Sequence, residues 1–378
     1  MKQLRIMYFP GKISGGVGAV VMNIFRNIDH EMFKIDFCVP DADEGKFDEE
    51  IMASGSKVFH TPQIRKVGLY GYYKAVIKIL RENGKYDAVH IHSVHMGAIT
   101  LLAAKKAGIS NRYYHVHNTK DAALDSLPCH SVLENLLKCI ICKNATRCLA
   151  CGREAGQYIY NNKRDFTVIN NAIDLTKYYP DAQKRRETRE KMYIDNDTLV
   201  IGNIARFVDE KNQMFFVNLA KTIKLEKMKM IILLIGDGPL QNIVEKKAEC
   251  ERVEDIIHFM GNRNDTAELY NVMDVFCLPS IFEGLPLTLM EAQASGIPIV
   301  VSDSVTNEAN IGVGSYIRIS LQETTEKWLE CIKKSHDKKV TDKDIIKKCF
   351  CENEYEIKSI VKKIQNIYLG GHNNGSML

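Results

Sequence analysis

The chain has 378 residues, 45% hydrophobic and 26% charged, which is globular composition in a length beyond the size at which one core stops growing, so two domains are expected. Lys and Arg outnumber Asp and Glu by only 51 to 47, which excludes a nucleic-acid protein that binds mainly through phosphate contacts. Disorder, collagen-like repeats and a disulfide framework are excluded by composition too. The apolar stretch near the N-terminus is too short for the core of a signal peptide. The best membrane-spanning candidate, Val132 to Ala150, is interrupted by Glu134, Lys138, Lys143 and Arg147. Eleven cysteines then point to a reducing cytoplasm, with most thiols used as small hydrophobes.

Short apolar, β-branched or aromatic runs predict strands at Leu4 to Phe9, Phe33 to Val39, Lys57 to His60, Ala88 to His92, Tyr113 to His117, Arg147 to Ala150 and Phe166 to Ile169. Helical periodicity falls between them at Gly18 to Ile28, Gly71 to Glu82, Met96 to Ala107, Val132 to Asn144 and Arg153 to Tyr160. The charged stretch Tyr178 to Met192 reads as an interdomain connection. The alternation restarts with strands at Leu199 to Ala205, Lys229 to Ile235, Ile256 to Met260, Val275 to Leu278 and Ile297 to Ser302. Helices are expected at Gln213 to Leu225, Leu240 to Glu251, Ala267 to Val272 and Leu287 to Ser295. Glu354 to Tyr368 is a last amphipathic helix, and Gly370 to Leu378 a polar tail. The pattern is α/β: two doubly wound parallel sheets in series, residues 1–174 and 175–353. Ligands of such sheets bind at the carboxyl ends of the strands, so two such units would share a cleft between their ligand edges.

The loop after the first strand, Pro10 to Gly18, carries Gly15 and Gly16 directly before a helix. Such a loop lets the backbone approach an anion or a hydroxyl, but it also suits a tight strand-to-helix turn. It is neither a Walker A loop nor a dinucleotide fingerprint. The segment Leu278 to Pro298 is more informative. Pro286 stands where a helix should begin, so the N–H groups of Leu287 and Thr288 would face the strand ends, where the helix dipole stabilises a diphosphate. Glu283 precedes that helix and Glu291 lies in its second turn, so one carboxylate could reach past the phosphates and the other could hold a diol. Acidic residues near a helix start are also ordinary dipole compensation.

Glu283, seven intervening residues and Glu291, set in Ser-x-x-Glu-Gly-x-Pro, resemble the signature of the retaining glycosyltransferase family 4. Four further segments resemble family elements in order: Ser14 to Val17, Val168 to Asp174, Gly202 to Asn212 and Gly236 to Pro239. Asn170, Ala172 and Ala205 depart from the usual Pro, Gly and Gly. The resemblance implies the GT-B architecture, two facing Rossmann-like domains with the C-terminal helix, in 354–378, returning to the first.

The resemblance also implies residue roles. Arg206 and Lys211 would bind the donor diphosphate, acting as fixed cations on a leaving group. Glu283 would contact donor-sugar hydroxyls and Glu291 the ribose. Gly15, Gly16, Gly236, Gly284, Leu285, Leu287 and Thr288 would line the donor, and Asn262 and Arg263 would lie beside the base. His117 matches the family's active-site histidine. His92 and His95 flank the end of the fourth strand and suit the acceptor side, while His90, His92, His95 and His115 all equally suit packing with a satisfied hydrogen bond. No metal cofactor is expected. The pairs Cys139–Cys142 and Cys148–Cys151 are too closely joined for a zinc site, and Asp41 and Asp43 read as a solvated loop rather than an ion-binding pair. The expected activity is sugar transfer, with retention, from a nucleotide-sugar donor, UDP-linked, to a hydroxyl of a glycan or polyprenyl-linked acceptor in capsule or exopolysaccharide assembly. A GT-B nucleotide-sugar epimerase and a non-catalytic sugar-nucleotide binder are the alternatives. The helix Leu69 to Glu82, with Tyr70, Tyr72, Tyr73, Lys74 and Lys78, suits either a peripheral contact with the inner membrane face or plain coverage of the sheet.

Overall fold

The computed structural model describes residues 3–11, 13, 15–40, 45, 47–92, 94–117, 130–283 and 285–373, apart from the side chains of 94–96 and 371–373. The chain forms two units, Met1–Ala172 with Ile357–Leu378, and Ile173–Glu356, close to the boundaries expected at Asp174 and Asn353. The first sheet contains β1 (Leu4–Phe9), β2 (Phe33–Pro40), β3 (Val58–Thr61), β4 (Ala88–Ile91), β5 (Asn111–Val116), β6 (Arg147–Ala150) and β7 (Thr167–Val168), in the order 3-2-1-4-5-6-7. The second contains β8 (Leu199–Ile204), β9 (Met230–Ile235), β10 (Ile257–Gly261), β11 (Val275–Leu278), β12 (Ile299–Ser302) and β13 (Tyr316–Ile319), in the order 10-9-8-11-12-13. All strand pairs are parallel. Each sheet therefore reverses its winding once, between β1 and β4 and between β8 and β11, as in a doubly wound Rossmann-like fold.

Both faces of the second sheet are buried, which explains why its strands read as unbroken apolar runs. Val200, Leu233, Phe276, Leu278 and Val301 enter one core and Ile201, Ile232, Val275, Cys277 and Val300 the other. The helices of the first unit are α1 (Gly16–Asn27), α2 (Asp48–Ala53), α3 (Ile64–Glu82), α4 (Val94–Lys106), α5 (His130–Asn144) and α6 (Arg153–Tyr160). Those of the second are α7 (Leu175–Tyr178), α8 (Ala182–Lys191), α9 (Met214–Leu225), α10 (Gln241–Cys250), α11 (Thr266–Val272), α12 (Leu287–Ala294), α13 (Thr325–Ser335) and α14 (Lys343–Glu352). The last helix, α15 (Ile357–Asn373), packs on the first unit, where the Tyr368 hydroxyl lies 2.6 Å from that of Tyr8 and 2.6 Å from His90 Nδ1. It extends beyond the expected end at Tyr368 and through the start of the expected tail, and residues 374–378 lie outside the described ones.

The stretch 178–192 is not a connection. Asp181 caps α8 by accepting from the amides of Gln183 and Lys184, and the helix then packs on α11. Its Arg189 is 1% exposed and pairs with Asp274 at 3.3 Å. Asp274 also meets Arg185 at 2.7 Å and Lys339 at 3.0 Å, and accepts from the Val200 amide at 2.8 Å. Burial works against the Asp274 carboxylate, yet Lys339 and Arg185 hold its pKa below the ordinary value, while burial pulls Lys339 down to about 8. This hub ties α8 to the foot of the second sheet. Removing one partner of a buried pair strands the other charges, so Asp274→Ala is expected to cost about 3–5 kcal/mol. Urea unfolding followed by Trp328, the single tryptophan, reads this directly, and an unchanged midpoint would remove the hub from the stability of this unit.

Candidate active site

In the second unit the loops that follow β8 and β11 flank the reversal point, where a crevice is expected at the strand ends. Three contacts zip them together. The Ile281 amide donates to the Glu210 carbonyl at 2.8 Å, Asn212 Nδ2 donates to the Pro279 carbonyl at 3.1 Å, and Lys211 Nζ forms an ion pair with Glu283 Oε1. Ser280 Oγ donates to the same Glu283 oxygen at 3.0 Å. The Glu283 side chain is only 8% exposed, so the cation and the hydroxyl provide the compensation a buried carboxylate needs. Its backbone is held by a bridge to Val305. Arg206 is exposed and makes no ion pair among the described residues, while its carbonyl accepts from Gln213 Nε2 at 2.9 Å.

The loop after β9 packs under the first of these. Gly236, at φ 134°, lies so close to the Ala205 carbonyl that a Cβ there would sit 2.1 Å from its oxygen, so only glycine fits. The Gly236 amide donates to the Gly261 carbonyl at 2.8 Å, which ties in the end of β10. Beyond it Asn262 is exposed, and Arg263 is turned onto Asp265 by a two-pronged ion pair with Nε to Oδ1 at 2.8 Å.

Pro286 is the N-cap of α12, and Leu285, Leu287 and Thr288 are half-buried around it. As the first two helical residues, Leu287 and Thr288 carry N–H groups with no carbonyl in a preceding turn, at the positive end of the helix dipole. In the second turn Glu291 accepts from the Tyr178 hydroxyl at 2.9 Å on Oε1 and from the Tyr270 hydroxyl at 2.8 Å on Oε2. Burial raises its pKa, and the two phenols oppose that rise. Gly284 lies outside the described residues.

Gly15 and Gly16 belong to the first unit, as the N-cap and first residue of α1. The loop's tight spot is Gly18, where a Cβ would meet the Ile13 carbonyl oxygen at 1.6 Å. On β4 and β5, and just past their ends, four imidazoles stack: His90 on His92 with centroids 4.2 Å apart, His92 on His117 at 5.2 Å, and His115 against His117 at 4.2 Å. His117 Nδ1 lies 3.1 Å from Asn171 Oδ1, a carbonyl that can only accept, so this nitrogen carries the proton. The neutral ring then accepts at Nε2, which lies 2.9 Å from His92 Nδ1. Both nitrogens of His117 are thus engaged, and an incoming hydroxyl has to replace one partner. Burial lowers its pKa to about 4, against the Asn171 bond, and burial followed by neighbouring imidazoles takes His90, His92 and His115 well below the ordinary value.

Apart from Gly284, the residues expected around the donor lie on loops and a helix start that follow strands of the second unit, except for Gly15 and Gly16, and His117 stands with His92 in the first. Tyr178 and Tyr270 have no signal in local sequence, because each is brought in from a separate element, whereas Ser280 is the serine of the Ser-x-x-Glu-Gly-x-Pro segment, three residues before the acid it bonds. Asp41, Asp43, Ser14 and the side chain of His95 lie outside the described residues. Cys142, Cys148 and Cys151 are packed in the apolar core, where burial pushes the Cys148 thiol up to about 11. Among the described residues the one group of three side chains within reach of a common metal ion is His90, His92 and His115, with nitrogens within 4.8 Å of one another.

Two family models match the chain: Glycosyltransferase Family 4 over residues 14–177 and Glycosyl transferases group 1 over 184–314. EpsF of Bacillus subtilis (strain 168), which carries the name of a glycosyltransferase, is 32% identical over 97% of this chain and 96% of its own length. The Escherichia coli UDP-Gal:alpha-D-GlcNAc-diphosphoundecaprenol alpha-1,3-galactosyltransferase is 26% identical over 94% of this chain and 93% of its own. Among solved structures, Anabaena HepE in complex with UDP superposes with a TM-score of 0.77, at 14% identity, over 98% of this chain and 100% of its own, which places this chain in the GT-B fold.

The buried imidazoles make the first unit sensitive to acid. In the unfolded chain each titrates near 6.5, so below that pH the unfolded state binds protons that the folded one refuses, and stability falls as pH drops from about 6.5 toward 4. The drop of the His117 pKa from 6.5 to about 4 alone removes roughly 3 kcal/mol once both values are passed. Intrinsic amide exchange slows as pH falls through this range, so protection factors, which divide that rate out, should drop in β4 and β5 from pH 6.5 to 4.5, and His115→Leu should flatten the trend. A flat profile in the wild-type chain would show that these rings are not held neutral.

Proposed function

Because the chain belongs to the glycosyltransferases that join a family 4 domain to a group 1 domain, we propose that it moves a sugar from a UDP-linked donor to a hydroxyl of a glycan or polyprenyl-linked acceptor, retaining the anomeric configuration, in the assembly of a cell-surface polysaccharide. The observation that carries this reading is the convergence of Arg206, the Lys211–Glu283 pair and the start of α12 at the reversal point of the second sheet. UDP and a lipid-linked acceptor are drawn from the names of the relatives and of the structural neighbour. Both family models and both relatives are transferases, which disfavours the epimerase.

In the proposed reaction the bond from the sugar's anomeric carbon to the diphosphate oxygen breaks, and the acceptor oxygen takes that carbon on the same face. The acceptor proton passes to the leaving phosphate, so no separate base is required. Arg206, Lys211 and the amides of Leu287 and Thr288 stabilise the charge that accumulates on the diphosphate. Glu283, fixed by Lys211 and Ser280, accepts from a sugar hydroxyl. Gly236 lets the backbone come close to the phosphates, and Asn262 and Arg263 are assigned to the side of the base. His117, a neutral ring, is assigned to a hydroxyl of the reacting sugar, and Gly15 and Gly16 to close backbone approach in the first unit. The cations and helix start supply the positive field, and the reaction is proposed to need no metal ion.

The protein is proposed to work in the cytoplasm, touching the inner face of the membrane. No helix among the described residues is long and apolar enough to cross a membrane. The helix α3 breaks at Gly68, leaving Val67, Leu69 and Tyr70 exposed beside Arg65, Lys66 and Lys74, whereas Tyr72 is buried and serves the core instead. That exposed corner, not the whole face expected from 69–82, is what supports the membrane contact.

Incubation with UDP-, GDP- and ADP-sugars plus membrane lipid extract should release UDP and form a glycosylated lipid, equally well with EDTA present. Isomerised donor without acceptor dependence would overturn the transferase reading, and loss of turnover with EDTA would overturn the metal-free one. Glu283→Ala and Lys211→Ala should each lower turnover by about 10²–10³, and full turnover in Glu283→Ala would remove it from the site. Vesicles rich in anionic phosphatidylglycerol should carry the protein upward in a density gradient, and Leu69→Ser/Tyr70→Ser should abolish this. Equal flotation of both proteins would exclude α3 as the contact.

A further inference from the structure

We infer that Tyr178 and Tyr270 are positioning residues whose hydroxyls hold the Glu291 carboxylate in the orientation that grips both hydroxyls of a ribose. This rests on the reading of α12 as the helix that meets the nucleotide. An ionised carboxylate offers about four acceptor positions, two on each oxygen. Tyr178, from α7, takes one on Oε1, and Tyr270, from α11, takes one on Oε2. Each oxygen keeps one acceptor position, and a cis-diol presents two donors at matching spacing.

The terminal torsion of a glutamate is broad and roughly two-fold, so a single hydrogen bond would leave the plane of the carboxylate loose. Two donors on different oxygens fix it. The donors are themselves fixed by packing: Tyr270 is fully buried and the two rings meet edge to face with centroids 6.0 Å apart. The Thr288 carbonyl, 3.1 Å from the Tyr270 hydroxyl, competes for its one proton, and the shorter 2.8 Å contact gives that proton to Glu291. A purely structural pillar would bury Glu291 completely, as it does Tyr270, yet Glu291 stays part-exposed in the second turn of the helix whose first turn faces the strand ends. Burial raises the Glu291 pKa, and the two phenols oppose that rise, which works toward the form that accepts from two hydroxyls at once.

The test uses the full chain and measures calorimetric Kd for UDP and for 2′,3′-dideoxy-UDP. The wild-type protein should favour UDP at least tenfold, and Glu291→Ala should bring that ratio near one. Tyr178→Phe and Tyr270→Phe should each reduce it several-fold, and the double variant should approach Glu291→Ala, with dideoxy-UDP affinity within about twofold of wild type throughout. A purely structural role would weaken both nucleotides together and keep the ratio, and that result overturns the inference. So does a double variant that keeps the full ratio while Glu291→Ala loses it, with the ribose role intact. If Glu291→Ala keeps the ratio, or the wild-type protein binds no UDP, the reading of α12 falls and the clamp with it.

Discussion

Everything in this molecule depends on the strands being parallel. A parallel pair cannot be joined by a hairpin, so each strand is followed by a crossover, usually a helix, and all strands of a sheet end at the same edge. At the reversal of winding the loops from two neighbouring strands run to opposite faces and leave a gap. That is how Lys211 and Glu283, 72 residues apart, come to share an ion pair, while the histidines on and after β4 and β5 become neighbours simply because those two strands pair directly and end at one edge. The same topology covers both faces of the sheet, so the central strands β1, β4, β11 and β12 are buried almost throughout.

The histidines show what that burial does. His90 and His115 are fully enclosed and His92 nearly so, and a charged imidazole there would lack both solvent and counter-ion. They are held neutral, and neutral rings have one donor and one acceptor, so the proton on His117 Nδ1 dictates the direction of the bond from His92. The stack is therefore a fixed arrangement of dipoles beneath His117, and its tautomer is determined from below, by Asn171 and His92.

Much of this was legible in the amino-acid sequence, for a physical reason. Strands buried on both faces produce apolar runs, and these located twelve of the thirteen strands among the described residues, with β13 missed because Tyr316 to Ile319 carries Arg318 and is only partly buried. The spacing of Glu283 and Glu291 around Pro286 is a local property of one loop and helix, so it too could be read directly. Long-range pairing could not. The stretch 182–191 looks like a charged linker because its partner, Asp274, lies 85 residues beyond Arg189, and only that pairing makes burial of an arginine tolerable. The helices α13 and α14 were missed because their apolar residues are few among charges, although Trp328, Leu329, Ile346 and Phe350 anchor them.

The Lys211–Glu283 pair bears on how one site can serve both a diphosphate and a sugar. A bare carboxylate about 4 Å from a phosphate would repel it by about 4 kcal/mol at an effective dielectric of about 20. With Lys211 on one oxygen that repulsion is largely cancelled, and with Ser280 beside it the carboxylate is held in one direction. Arg206, exposed and without an ion pair among the described residues, is left as the net positive side chain for an arriving anion. On the proposed function the division follows from position: Lys211, next to the acid, holds the acid as well as facing the diphosphate, and Arg206, away from it, is given to the diphosphate alone. Exchanging the acid for an amide would then release Lys211 as well as remove an acceptor, so the two residues act as one element of the proposed site.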